Sequence, residues 1–193
     1  IEKNNRIKTI LKKLNIKHTR LEGVYGKNLT NIPYRNKIAQ KFNLHNELFD
    51  VSFWMNRSNF KTMTKYQNSV LPKVGAFLSH TLAIKKALEM GLDKVLILED
   101  DMNPLINVNS KFSIPKDADI YYLGGSFWTD HELKDPKTDN IRIDGQVLKM
   151  VGGFAYIIPS REKMIDIYNV LMSVFNDGKS HDKHKDWRSG QYK

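Results

Sequence analysis

The chain has 193 residues, a formal net charge of +10 and no cysteine, with hydrophobic residues at 40% and charged residues at 27%. That length suits one domain with a substantial core, the composition excludes a disordered chain, and the lack of cysteine excludes disulfides and thiolate metal sites. The excess of Lys and Arg favours anionic partners, yet these residues are scattered and no nucleic-acid motif accompanies them, so most of the charge reads as a solvated surface.

Ile7, Ile10, Leu11 and Leu14 follow the i, i+3, i+4, i+7 spacing of an amphipathic helix. Residues 17–21 then read as a short extended piece, and Gly23 and Gly26 as a turn. No strand precedes the first helix and the chain starts at Ile1 without an initiator Met, which points to a fragment lacking its first strand.

Residues 31–42 read as a second helix with Pro33 in its first turn. Residues 43–72 lack clear periodicity and predict a long irregular connection; Phe49, Phe53, Trp54, Phe60 and Tyr66 would suggest single-stranded nucleic acid if interleaved with many basic residues, but Arg57, Lys61 and Lys65 are few, so the aromatics read as plugging the core. The strongest helix spans residues 74–90, with Val74, Phe77, Leu78, Thr81, Ile84 and Leu88 on one face and Gly91 as its stop.

Residues 93–101 predict a strand. Its four consecutive apolar residues, Val95, Leu96, Ile97 and Leu98, suit a strand covered on both faces, as in a parallel sheet between helices. It ends in Glu99, Asp100 and Asp101. Residues 119–123 predict a second strand closed by Gly124 and Gly125, and residues 129–145 a charged surface excursion. Residues 148–158 read as two extended pieces broken by Gly152 and Gly153. Ser160 is a good N-cap for a last helix that buries Met164, Tyr168, Leu171 and Phe175. A polar tail holds His181, Asp182, His184 and Asp186. This order of elements implies an α/β sandwich with a mainly parallel sheet, in which ligands bind at the carboxyl ends of strands. The apolar runs at residues 95–98 and 154–158 are far too short to span a bilayer.

Three adjacent carboxylates repel one another, and a divalent cation among them relieves that repulsion. Mg²⁺ or Mn²⁺ takes oxygen ligands and commonly bridges carboxylates to phosphates. In an extended chain Glu99 and Asp101 share a face and Asp100 points the other way, towards a sugar hydroxyl, a nucleotide or a backbone amide. A turn capped by acids is the plain structural alternative. His80, on the strongest helix, is either a packed, hydrogen-bonded residue or a ligand or acid–base group. His181 and His184 with Asp182 form either a metal set or a solvated tail. Gly152 and Gly153 mark either a bulge or the close approach of a ligand.

Four segments in order resemble glycosyltransferase family 25, which includes lipooligosaccharide galactosyltransferases and collagen hydroxylysine galactosyltransferases. Gly75, Leu78, Ser79 and His80 match its Gly-Cys-x-Leu-Ser-His segment, and Leu98, Glu99, Asp100 and Asp101 its Leu-Glu-Asp-Asp segment. Residues 20–29 are similar to its early Arg-x-x-Gly/Ala-Val-Asp-Gly segment, and residues 152–164 to its Gly-x-x-Ala-Tyr-Ile-Ile-Ser segment. Ala76 stands where the family usually has Cys, and Tyr25 where it usually has Asp.

The resemblance implies a GT-A-like (Rossmann-like) sandwich with a mostly parallel central sheet flanked by helices. Residues 1–193 would form a single glycosyltransferase-like domain lacking its first strand and C-terminal end. It implies a UDP-hexose donor and a Mn²⁺-type ion (or Mg²⁺) held by Glu99 and Asp101. Asp100, Gly75, Ser79, His80 and Gly153 would lie towards the nucleotide sugar. An inverting reaction needs a base for the acceptor hydroxyl, for which Asp182 and Asp130 are the candidates. The acceptor would be a saccharide or a collagen-like protein. A catalytically silent relative that keeps the fold as a binding module is the competing reading.

Overall fold

The computed structural model describes residues 8–9, 11–12, 15–44, 63–100, 113–115, 117–128 and 149–176. The chain divides into two compact units, each built from separate stretches of sequence. One, the helical unit, comprises His18–Val95 and Ser160–Gly178; the other, the sheet unit, comprises Ile1–Lys17, Leu96–Pro159 and Lys179–Lys193.

The helical unit contains a 3-10 helix, Gly26–Thr30, followed by α1, Ile32–Lys41. Asn31 caps α1, its Oδ1 accepting the Tyr34 N–H at 3.0 Å, and Pro33 sits in the first turn, where it forfeits no helical bond. The second helix, α2, spans Met63–Glu89 and ends in a turn centred on Gly91. Gly91 has φ +68°, the Leu92 N–H donates to the Ala87 carbonyl at 3.1 Å, and the Gly91 N–H donates to that of Leu88 at 3.1 Å. This is the double closure that satisfies the last carbonyls of a helix. The Arg161 Nη1 donates to the Leu88 carbonyl at 3.2 Å, placing a cation at the negative end of α2. Arg161 opens α3, Arg161–Asn176, which Ser160 caps through the Lys163 N–H at 3.2 Å.

These helices bury one cluster: Val24, Leu29, Ile38, Ala39, Phe42, Leu71, Val74, Leu78 and Met172. Leu78 and Met164 are fully enclosed; truncating Leu78 to Ala is expected to cost about 2–5 kcal/mol in a urea titration. The face of α2 follows the sequence reading, with Leu71 and Ala87 added and Phe77 and Leu88 only half-buried. Thr81 is buried among apolar residues because its Oγ1 donates back to the Phe77 carbonyl at 2.8 Å. On α3 the inward residues are Met164, Tyr168 and Met172, one position round from the expected Leu171.

Two expectations fail in this unit. Residues 63–72 are helical rather than irregular, so α2 runs through Pro72. Proline removes one N–H from the helix and releases the carbonyl four residues earlier. Pro72 and Asn68 are both exposed, so that carbonyl can turn to water while Leu71 stays buried. Residues 17–21 form no strand: all five are exposed, and nothing gives one face a reason to pair.

In the sheet unit, the first helical pattern is present at residues 8–9 and 11–12, with Leu11 buried. It closes at Asn15, whose φ of 53° and flanking bonds (Ile16 N–H to Leu11 O, 2.9 Å) make a left-handed C-terminal stop. Three strands follow: β1 (Val95–Leu98), β2 (Tyr121–Trp128) and β3 (Lys149–Ile158), in the order β1-β3-β2. The class is α/β, and β2 pairs antiparallel with β3. Both glycine doublets lie inside strands rather than ending or breaking them. The register shifts at Tyr122/Gly124 and Gly124/Ser126, opposite the stretch of β3 that holds Gly152 and Gly153, so the doublets accommodate bulges. Among the described strands β1 lies at an edge, and Leu96 is exposed where cover on both faces was expected.

Candidate active site

The four sequence segments meet in two pairs, one in each unit. In the helical unit the 20–29 segment lies directly against α2. The Val24 N–H donates to Ser79 Oγ at 2.8 Å, and Ser79 Oγ donates to the Gly75 carbonyl at 2.7 Å. The Tyr25 N–H donates to the Tyr34 hydroxyl at 2.8 Å. A Cβ on Gly75 would lie 2.6 Å from both the Val24 oxygen and the Gly26 nitrogen; one on Gly26 would overlap the Leu71 carbonyl oxygen. The two glycines are there because two backbones touch. Ser79 supplies the acceptor that this irregular segment lacks, so Ser79→Ala strands the Val24 amide. A loss of about 1–2 kcal/mol, read from the urea midpoint, is the expected result. His80, the next residue, is half-buried on α2.

The second pair lies in the sheet unit. Glu99 follows β1 directly and is half-buried, whereas Asp100 is exposed. Beside β1 runs β3, which carries Tyr156 between the buried residues Ala155 and Ile157. Tyr122 of β2 stands directly opposite Tyr156, with ring centroids 5.7 Å apart and planes tilted by 46°. Tyr122 is 41% exposed and Tyr156 only 7%. Burial raises the pKa of the Tyr156 hydroxyl, and the nearby Tyr122 phenol and Glu99 carboxylate raise it further. A neutral phenol therefore sits within the field of the first acid of the Glu-Asp-Asp run.

That field has a measurable consequence. An unfolded tyrosine ionises near pH 10, whereas folded Tyr156 holds its proton to higher pH. Above about pH 10 the folded state thus binds more protons than the unfolded one, and stability falls as pH rises. Its contribution is complete below that point and lost above it. Tyr156→Phe is expected to flatten the alkaline limb of stability against pH; an unchanged limb would refute this assignment.

Of the residues singled out from the sequence, Gly75, Ser79 and His80 belong to the helical unit, and Glu99, Asp100 and Gly153 to the sheet unit. Asp101, Asp130, Asp182, His181 and His184 lie outside the described residues. No group of three metal-capable side chains occurs among the described residues, where Glu99 and Asp100 are the only members of the acid run. Sequence reasoning assigned nothing to Tyr156, Tyr122 or Tyr34. Tyr156 was within reach, because it belongs to the Ala-Tyr-Ile-Ile segment.

The family model of glycosyltransferase family 25 (LPS biosynthesis protein) matches residues 1–147. The chain belongs to glycosyltransferase family 25. The match takes in three of the four segments and stops short of the one at residues 152–164. The sheet adds that fourth segment by placing β3, which carries Tyr156, next to β1, which runs into Glu99. No curated protein and no solved structure matches the chain significantly. Family 25 is a family of glycosyltransferases, which implies a sugar donor and a saccharide acceptor. Among the described residues no helix is long and apolar enough to cross a membrane.

Proposed function

We propose that the chain transfers a hexose, galactose or glucose, from a UDP-sugar to a hydroxyl of a growing saccharide, with inversion and with a divalent ion. The family membership supports glycosyl transfer, and its description favours a lipopolysaccharide acceptor over a collagen-like one. The observation that supports the site is Glu99, half-buried at the end of β1, the strand next to β3 in the sheet. A strand end that presents carboxylates is where an α/β sheet binds its ligand. The antiparallel β2–β3 pair is compatible with a larger, mostly parallel GT-A-like sheet containing β1.

Carboxylate oxygens are hard donors, and they suit Mn²⁺ or Mg²⁺. Glu99 and Asp101 would hold such an ion, which when bound supplies positive charge to the departing diphosphate. Asp100, exposed, is free to meet the donor's ribose or sugar hydroxyls. Gly153, in the bulged part of β3, lets a ligand approach the backbone. Gly75 and Ser79 fix the 20–29 segment, and His80 adjoins them. Asp182 or Asp130 takes the proton from the acceptor hydroxyl.

The test is UDP release from UDP-galactose and UDP-glucose with Mn²⁺, with and without a lipooligosaccharide acceptor. Turnover that disappears in EDTA and returns with Mn²⁺ supports the reading; turnover indifferent to EDTA removes the metal from it. No turnover with either donor rejects the hexosyltransferase.

A further inference from the structure

We propose that the outward surface of residues 25–41 docks the protein on an anionic lipid bilayer. The inference rests on the glycosyltransferase reading for its purpose, since a saccharide acceptor carried on a lipid lies at such a surface, but not for its observations. From Gly23 to Leu44 the chain has no Asp or Glu and four cations, Lys27, Arg35, Lys37 and Lys41. By contrast, α3 sets Glu162 and Asp166 among its cations Arg161 and Lys163. A surface of one sign draws in partners of the other.

The fold turns this stretch outwards. Ile38, Ala39 and Phe42 anchor α1 in the helical core, and the spacing that buries them leaves Pro33, Lys37, Gln40 and Lys41 together on the solvent face. Lys27 is exposed on the 3-10 helix just before α1. None of Lys27, Lys37 and Lys41 makes an ion pair among the described residues, whereas Lys85 and Lys86 both pair with Glu89. Two large apolar side chains flank the 3-10 helix, Tyr25 at 59% exposed and Ile32 at 58%. The bond from the Tyr25 N–H to the Tyr34 hydroxyl ties the first of these to the opening turn of α1, which begins at Ile32.

Uncommitted cations beside exposed apolar groups suit a lipid headgroup layer. The lysines reach the phosphates, while Tyr25 and Ile32 enter the boundary between headgroups and acyl chains, where a ring with one polar end is favoured. A nucleic acid would use the charge and leave Ile32 in water. Each lysine brought to an anionic membrane strengthens binding about fivefold, so three together give roughly a hundredfold.

Co-sedimentation of the full chain with vesicles of mixed phosphatidylglycerol and phosphatidylcholine tests this, at about 0.1 M salt and without donor or metal. Binding is expected, and is expected to vanish on vesicles of phosphatidylcholine alone. Replacing Lys37→Gln and Lys41→Gln together is expected to weaken it about twentyfold, and Ile32→Ser about fivefold. Replacing Lys86→Gln and Lys94→Gln together removes the same charge near the C-terminal end of α2 and is expected to change binding by less than about twofold. All of these residues are exposed, so urea unfolding of each variant is expected to match the parent. No binding by the parent, no loss at Lys37 and Lys41, or an equal loss in the two lysine pairs overturns the proposal. A single-stranded oligonucleotide that binds through Lys37 and Lys41 more tightly than the vesicles do makes the face a nucleic-acid site and overturns it too. If the parent docks on vesicles through this face but releases UDP from neither donor, the glycosyltransferase reading fails and the docking surface stands; turnover without vesicle binding has the opposite meaning.

Discussion

Glu99→Gln and Asp101→Ala are each expected to lower Mn²⁺-dependent UDP release by about 100-fold or more, with the purified variants still unfolding cooperatively in urea. On the proposed reading these carboxylates hold the ion that stabilises charge on the leaving diphosphate, and that sets the expected magnitude. Gln keeps the size of Glu and removes the negative charge, so the fold has little reason to respond beyond about 2 kcal/mol. Asp100→Asn provides the contrast. It is exposed, in the turn that follows β1, so it is expected to raise the donor KM more than it lowers kcat. Turnover within threefold of the parent in Glu99→Gln would remove Glu99 from the site.

The second large effect is on stability. Gly75→Ala or Gly26→Ala is expected to cost about 3 kcal/mol or more, lowering the melting temperature by roughly 6–12 °C. A methyl group on Gly75 meets the Val24 oxygen at 2.6 Å and the Gly26 Cα at 2.8 Å; one on Gly26 meets the Leu71 carbonyl. All of these are main-chain atoms, so no rotamer change relieves the overlap. Either the helix or the 20–29 segment must move, and the Ser79–Val24 bond goes with it. Gly91→Ala is the matched control. Nothing lies within 4 Å of its Cβ position, and only the positive φ of 68° is strained, so about 1 kcal/mol is expected. Equal losses at Gly75 and Gly91 would show that the backbones do not touch as described.

Local chemistry made much of the helical unit readable. Asn31 and Ser160 are polar caps at the start of apolar periodic runs, and Gly91 stands at the end of one; each acts in the structure as its residue type dictates. Rules of the same kind misled at Pro72 and at the glycine doublets. They score a residue by its usual cost, and here exposure of the released carbonyl and a bulged ladder lowered that cost. The contact of Gly26 with Gly75 is invisible to periodicity, because it joins distant segments through atoms that every residue has. The place of the acid run at a strand end was legible from Val95 to Leu98 followed by Glu99. The neighbourhood of Tyr156 was not, since it depends on which strand lies next to which.

The helical core is assembled from distant parts of the chain, and synthesis delivers them at different times. Val24, Ile38, Leu71 and Leu78 leave the ribosome early, whereas Met172 and Tyr168 arrive only with α3. At about 5–20 residues per second, the stretch from Leu82 to Met172 takes roughly 5–20 s to make. For that time the apolar face of α2 awaits its cover, and the nascent chain presents it to whatever is near. The 20–29 segment is already available to lie along α2 through Gly26 and Ser79, so it can shield part of that face first. A chain stalled before residue 161 would keep the remainder open, a natural ligand for a chaperone that binds apolar helices.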